Sequence, residues 1–246
     1  MIPKIIHYCW FGGNPLPPMA KKCIASWKKY CPDYEIVLWN EANYDFAKHP
    51  FMKQAYEQKK WAFVTDYARL DIVYNNGGLY FDTDVELLRS PDELLSHSLF
   101  MGFEDKHYVA TGLGFGSVAG HPLLKQLCDD YNKITFSSEK MIPCPVIQTE
   151  TLRSIGLHDD TGEVQLLDNG VAIYPSRFFA PRNAVNLPEA LPDSYSIHHY
   201  EASWCDDQWK RRILIFVKKI IKFCLGKKAA FFIDLKRRLF DRKIDS

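Results

Sequence analysis

The sequence predicts an α/β fold built on a largely parallel sheet, and three observations carry that expectation. Apolar runs of strand length alternate with amphipathic segments of helical period, beginning in the order strand, helix, strand. Turn-forming clusters separate them, notably Gly12-Gly13 with Pro15, Pro17 and Pro18, and later Asn75-Asn76-Gly77-Gly78. Apolar residues make up 47% of the 246-residue chain, enough for a sizeable core and too many for global disorder.

The elements follow in order. Residues 4–10 read as a buried first strand, and the proline-rich turn hands the chain to a helix ending near Tyr30. Met19, Cys23, Ile24 and Trp27 share one face of that helix. Residues 34–39 are a second strand. Residues 61–75 have helical spacing and stop at the asparagine–glycine cluster, as helices commonly do. Leu79-Tyr80-Phe81 is a short apolar strand running into Asp82-Thr83-Asp84. Residues 98–135 hold one or two strands, a stretch with Gly112, Gly114 and Gly116, and a helix after His121-Pro122. Later strands are predicted at 164–167, 171–174 and 195–199.

Charge divides the chain. Residues 208–246 contain 13 Lys/Arg against 3 Asp/Glu, so the net charge of +1 conceals an acidic body with a basic tail. An acidic body argues against nucleic acid as partner. In the tail, residues 213, 214, 216, 217, 220, 221, 224 and 225 form an apolar face opposite Lys218, Lys219 and Lys222. This predicts a basic amphipathic helix suited to an anionic membrane surface, or packed on the acidic body. Domain boundaries are therefore expected at 1–207 and 208–246. Seven cysteines, an odd number without a CxxC pair or zinc spacing, read as free thiols of a reducing cytoplasm. The opening residues lack the apolar run of a signal peptide, and no stretch is apolar enough to span a membrane.

The chemistry concentrates at Asp82 and Asp84. Carboxylates at i and i+2 face one side of a strand, and a turn at the strand's end can converge them further. Such a pair makes a hard oxygen site for Mn²⁺ or Mg²⁺, able to bind a diphosphate. A solvated turn is the plain alternative. Asp66 and Arg69, at i and i+3 of the preceding helix, share a face and read equally as an ion pair. Trp10, at the end of the first strand, reads as a core aromatic or as a platform for a nucleobase.

Three blocks carry a resemblance. Residues 2–13 (Ile-Pro-Lys-Ile-Ile-His-Tyr-Cys-Trp-Phe-Gly-Gly), the Thr65-Asp66-Tyr67-Ala68-Arg69 segment with residues 74–85, and residues 197–204 are similar, in that order, to glycosyltransferase family 32. This family of DxD sugar transferases includes capsular-polysaccharide enzymes and yeast mannosyltransferases, and is related to the glucosylating clostridial toxins. The resemblance implies a GT-A fold, a single Rossmann-like domain binding a nucleotide sugar, here with the basic tail appended. It implies that Trp10 stacks on the base, that Asp66 and Arg69 hold hydroxyls of the donor sugar, and that Asp82 meets ribose and metal. Asp84 would ligate the metal directly, His198 would approach it from the last strand with His199 as the alternative, and Ser203 and Trp204 would lie nearby at the donor. The implied reaction is retaining transfer of a hexose or N-acetylhexosamine, a UDP-sugar being favoured, to a glycan acceptor. A lipid-linked acceptor at the inner face of the cell membrane would suit the tail.

No side-chain nucleophile is assigned. Glu104 and Asp105 end a predicted strand and face either the sugar or solvent. Residues 112–116 and 143–150 are expected to be acceptor-side loops by position alone. Two other functions compete. The 79–85 segment also resembles the nucleophile strand of haloacid-dehalogenase-like phosphohydrolases, in which Asp82 would attack phosphorus. Against that, about 78 residues of organised α/β sequence precede it, and the later metal element is missing. The other competitor is a non-catalytic sugar-binding protein of the same fold.

Overall fold

The computed structural model describes residues 1–137, 142–182 and 187–201. The tail (208–246), Ser203 and Trp204 lie outside the described residues. Contacts divide the chain into two compact units, Met1–Pro181 with Ala190–Trp204 and Arg182–Glu189 with Cys205–Ser246. In the second, Arg182 and Pro188 form an isolated antiparallel bridge.

In the first unit the strands are β1 (Ile5–Cys9), β2 (Glu35–Trp39), β3 (Gly78–Tyr80), β4 (Val85–Leu87), β5 (Leu99–Gly102), β6 (Phe115–Ser117), β7 (Gln165–Leu167), β8 (Val171–Tyr174) and β9 (Ser196–His198). The helices are α1 (Pro18–Tyr30), α2 (Pro50–Glu57), α3 (Trp61–Asn76), α4 (Pro122–Asp130), α5 (Cys144–Ser154) and α6 (Ser176–Phe179). Among the described residues, seven strands form one sheet in the order β2-β1-β3-β6-β5-β8-β7, while β4 and β9 pair in a separate ribbon. Strands β1, β2, β3, β5 and β8 run one way; β6 inside the sheet and β7 at its edge run against them. The expected α/β domain on a largely parallel sheet is therefore present, with an internal reversed strand and a ribbon beyond the end of β3.

Both faces of the sheet are covered, and the two-residue period assigns each side chain. Leu79, Phe100 and Ala172 point into one core with Trp27 and Phe179, while Tyr80, Leu99, Met101, Val171 and Ile173 point into the other. The second core is roofed by α2, α3 and α4, whose Met52, Val64, Ala68, Leu70 and Leu124 are fully buried. Burying each of the Met, Val and Leu side chains among them contributes roughly 1.5–3 kcal/mol.

Helix α3 positions the site. Eight of its residues are buried, including Asp66 and Arg69, so it lacks a clean polar face. It stops at Gly77, whose N–H bonds the carbonyl of Val73 at 2.8 Å with φ at +67°. Gly78 follows at φ +97°, and a Cβ there would lie 2.8 Å from the Ile5 carbonyl oxygen, so glycine is what lets β3 seat against β1. That pairing aligns His7 with Tyr80 and brings Trp10 and Asp82 to the same carboxyl edge. Among the described residues, no helix is long and apolar enough to cross a membrane.

Candidate active site

Strand β3 ends at Tyr80, and the chain turns through Asp82-Thr83-Asp84 before β4, closed by Val85 N–H to the Asp82 carbonyl at 3.0 Å. The two carboxylates thus converge in a turn rather than along a strand. Antiparallel pairing of Val85 with His198 carries β9 past this turn. One ligand atom each from Asp82, Asp84 and His198 lies within 4.8 Å of the others.

Asp84 is the most engaged of the three. His198 Nε2 stands 3.0 Å from its Oδ1, and the Glu201 backbone N–H donates to its Oδ2 at 2.9 Å. Burial opposes its charge, but the imidazole and backbone donors outweigh burial and hold its pKa at about 2. Burial likewise disfavours charge on His198, yet Asp84, Asp82 and Glu104 together raise it above the ordinary imidazole value. His198 Nδ1 is buried without a hydrogen-bond partner, and its ring lies 4.1 Å from that of Tyr200. His199 faces elsewhere: its Nε2 meets Glu86 Oε2 at 2.8 Å, and Lys22 holds the same oxygen at 2.7 Å.

Asp82 connects this turn to α3. Tyr80 donates its hydroxyl to Asp82 Oδ1 at 3.1 Å, and Arg69 Nη1 lies 3.4 Å from Oδ2. Burial raises the pKa of Asp82, with Arg69 pulling against it. The Arg69 guanidinium also donates to Asp66 Oδ1 at 2.6 Å, to the Thr65 carbonyl at 3.0 Å and to Thr65 Oγ1 at 3.3 Å. Asp66 is so buried that its pKa rises to about 6 despite that partner. An unbroken chain of contacts therefore runs Asp66, Arg69, Asp82, with the Asp84–His198 pair beside it. The donor set of two carboxylates and one imidazole fits a divalent cation of the Mn²⁺ or Mg²⁺ kind.

Trp10 is half-buried, and its indole N–H donates to the Asn14 carbonyl. Asn14 belongs to a crevice of about 650 Å³ lined also by Gly12, Gly13, Glu41, Tyr56, Lys59 and Trp61. Glu41 accepts from the Gly12 N–H at 2.6 Å and from Tyr56 at 3.1 Å. Asp105 is exposed and ties its own turn, accepting from the His107 and Tyr108 N–H groups. Sequence reasoning overlooked Tyr80, although its place two residues before Asp82 puts both on one side. It also missed Trp27, whose indole donates to the Val85 carbonyl at 2.8 Å and so supports the DxD turn from behind.

Part of the chain that carries this geometry is similar to known proteins. Residues 17–101 match the family of glycosyltransferase sugar-binding regions containing a DXD motif. The match runs through α3 and the DxD turn, in agreement with the resemblance read from the sequence and against the phosphohydrolase alternative. Inositol phosphoceramide mannosyltransferase 3 of Schizosaccharomyces pombe is 31% identical over 144 residues, 55% of this chain and 39% of that protein. The chain thus spans about two fifths of that relative's length. An uncharacterised glycosyltransferase of Acanthamoeba polyphaga mimivirus is 24% identical over 88% of this chain and 92% of its own. Among solved structures, the PaToxG glycosyltransferase aligns with a TM-score of 0.48 at 16% identity, over 62% of this chain and 68% of that one.

Proposed function

We propose that this DXD glycosyltransferase-family chain is a metal-dependent, retaining transferase of a hexose or N-acetylhexosamine from a nucleotide sugar. The observation that supports it most is the meeting of Asp82, Asp84 and His198 at the carboxyl edge of β3, with Asp66 and Arg69 beside them. In this reading the three residues hold Mn²⁺ or Mg²⁺, which when bound supplies positive charge to a leaving diphosphate. Asp66 and Arg69 orient hydroxyls of the donor sugar, and the crevice beside Trp10 takes the nucleobase. Ser203 and Trp204 are assigned to the donor from sequence alone.

The bond from the anomeric carbon to the diphosphate oxygen breaks as the acceptor oxygen arrives on the same face. The acceptor's proton passes to the departing phosphate oxygen, which removes the need for a protein base. The protein's own work is positioning and electrostatics: Arg69 holds two carboxylates in place, and Tyr80 orients Asp82 by donating to Oδ1.

A uridine nucleotide is favoured as carrier, and a lipid-linked glycan of surface polysaccharide synthesis as acceptor. The basic amphipathic pattern of residues 208–246 supports a peripheral site on the inner face of the cell membrane. The mannosyltransferase relative makes mannose a sugar to include in any screen. The test is release of nucleoside diphosphate from a panel of UDP- and GDP-sugars with Mn²⁺, beside an Asp84→Ala variant and a chelator control. Release from one donor, lost in both controls, is expected. Release that survives both controls would refute metal dependence. Hydrolysis of simple phosphate esters instead would refute the transferase.

A further inference from the structure

The stretches 112–116 and 143–150, expected as acceptor-side loops, meet in the fold through Thr111 and Gln148. The second is not a loop: from Cys144 on it is helix α5, which buries Gln148 and Thr149. Gly112 abuts the site itself: a Cβ on it would stand 2.5 Å from Asp82 Oδ2 and 2.8 Å from Arg69 Nη1. Its backbone is not in the left-handed region, unlike that of Gly114 at φ +114°. Glycine at 112 therefore answers to space and not to backbone conformation. A side chain at 112 would have to displace the Asp82 carboxylate and the Arg69 guanidinium.

What keeps that backbone there is a reciprocal pair. The Thr111 N–H donates to Gln148 Oε1 at 3.1 Å, and Gln148 Nε2 donates to Thr111 Oγ1 at 2.9 Å. Both residues are fully buried. One turn before Gln148, Cys144 at the start of α5 acts on Asp66 and favours its charged form, so α5 also borders the Asp66 end of the chain of contacts. An apolar pair would fill the same space at lower desolvation cost. Two directional bonds instead fix one residue's backbone and side chain together.

We propose that Thr111, Gly112 and Gln148 are positioning residues of the metal and donor site. Gln148 clamps Thr111, and the Gly112 backbone then walls Asp82 and Arg69 into the arrangement in which Asp82 faces Asp84 and His198. Residues of this kind tune metal affinity without touching the ion, commonly by 10- to 100-fold. The inference rests on the metal-site reading given above.

Calorimetric titration with MnCl₂, and with UDP in the presence of MnCl₂, tests it on the full chain. Wild type, Asp84→Ala, Thr111→Val, Thr111→Ser and Gly112→Ala are compared at a temperature where circular dichroism shows each folded, with thermal midpoints alongside. Thr111→Val is isosteric but removes the hydroxyl, and is expected to bind Mn²⁺ about tenfold more weakly while folded. Gly112→Ala should do at least as much, and Thr111→Ser, which keeps the hydroxyl, should restore binding to within about twofold of wild type. Wild-type affinity in both Thr111→Val and Gly112→Ala, with only their midpoints lowered, would make the clamp merely structural and overturn the proposal. If Gly112→Ala does not fold, Thr111→Val decides alone. Wild type binding neither Mn²⁺ nor UDP would instead overturn the metal-site reading, and this inference with it.

Discussion

Asp84 and His198 stand 114 residues apart in sequence, yet His198 Nε2 lies 3.0 Å from Asp84 Oδ1. The β4–β9 ribbon produces the meeting by pairing Val85 with His198, and Glu86 retains His199 on the far side. Replacing Asp84 by Asn keeps its shape and removes its charge. Donor turnover is expected to fall about 10²- to 10³-fold, the scale of losing one preorganised electrostatic group. Initial rates with saturating Mn²⁺ check this.

Arg69 is 3% exposed and neutralises two carboxylates at once. Arg69→Leu leaves Asp66 and Asp82 without their cation, and a loss of about 3–5 kcal/mol is expected in urea unfolding at pH 7. The deficit relative to wild type should shrink at pH 5. Asp66 already titrates at about 6, and protonation removes the charge that lacks a partner. A deficit that grows on acidification would show that charge burial is not its cause.

His7 is buried and held neutral by geometry. Its Nδ1 accepts from the Trp39 indole at 3.1 Å, and its Nε2 faces the Gly77 carbonyl at 2.9 Å as donor. Burial lowers its pKa, against the pull of that carbonyl. The unfolded chain therefore takes up the proton first, so the stability due to His7 is intact above pH 6.5 and drains away as pH falls below it. Burial lowers His49, His97 and His121 in the same sense. Asp66 acts oppositely, gaining as pH falls below about 6. The comparison to make is thus His7→Gln against wild type, and the variant's stability should lose less on going from pH 7 to pH 5.

Trp27 is fully buried, and its indole N–H is the partner of the Val85 carbonyl. Trp27→Phe should cost about 1–3 kcal/mol, the penalty of leaving a buried acceptor unpaired. Chemical denaturation measures it.

Much of this arrangement is legible in sequence, for physical reasons that differ by element. Strand β1, helix α1 and the Gly77-Gly78 stop show because glycine and proline punctuate them. The DxD pair shows because two carboxylates two residues apart share a side. Helix α2 escaped notice because its eight residues offer two turns of periodicity, and only the His49-Pro50 start marks it. Helix α5 escaped because it is buried around much of its circumference, from Ile147 and Gln148 to Thr151 and Leu152. The reversal of β6 and the separate β4–β9 ribbon are choices of pairing between distant segments, which no local pattern encodes. His198 was visible only through resemblance to a family, and the Thr111–Gln148 pair not at all, since it joins two side chains 37 residues apart.

The most direct test of the central claim is Mn²⁺ binding followed by electron paramagnetic resonance, with UDP present, in wild type, Asp84→Ala, His198→Ala and His199→Ala. The account predicts one bound ion in wild type and His199→Ala, and loss of binding in Asp84→Ala and His198→Ala. Retention in His198→Ala with loss in His199→Ala, or no bound ion in wild type, would contradict it.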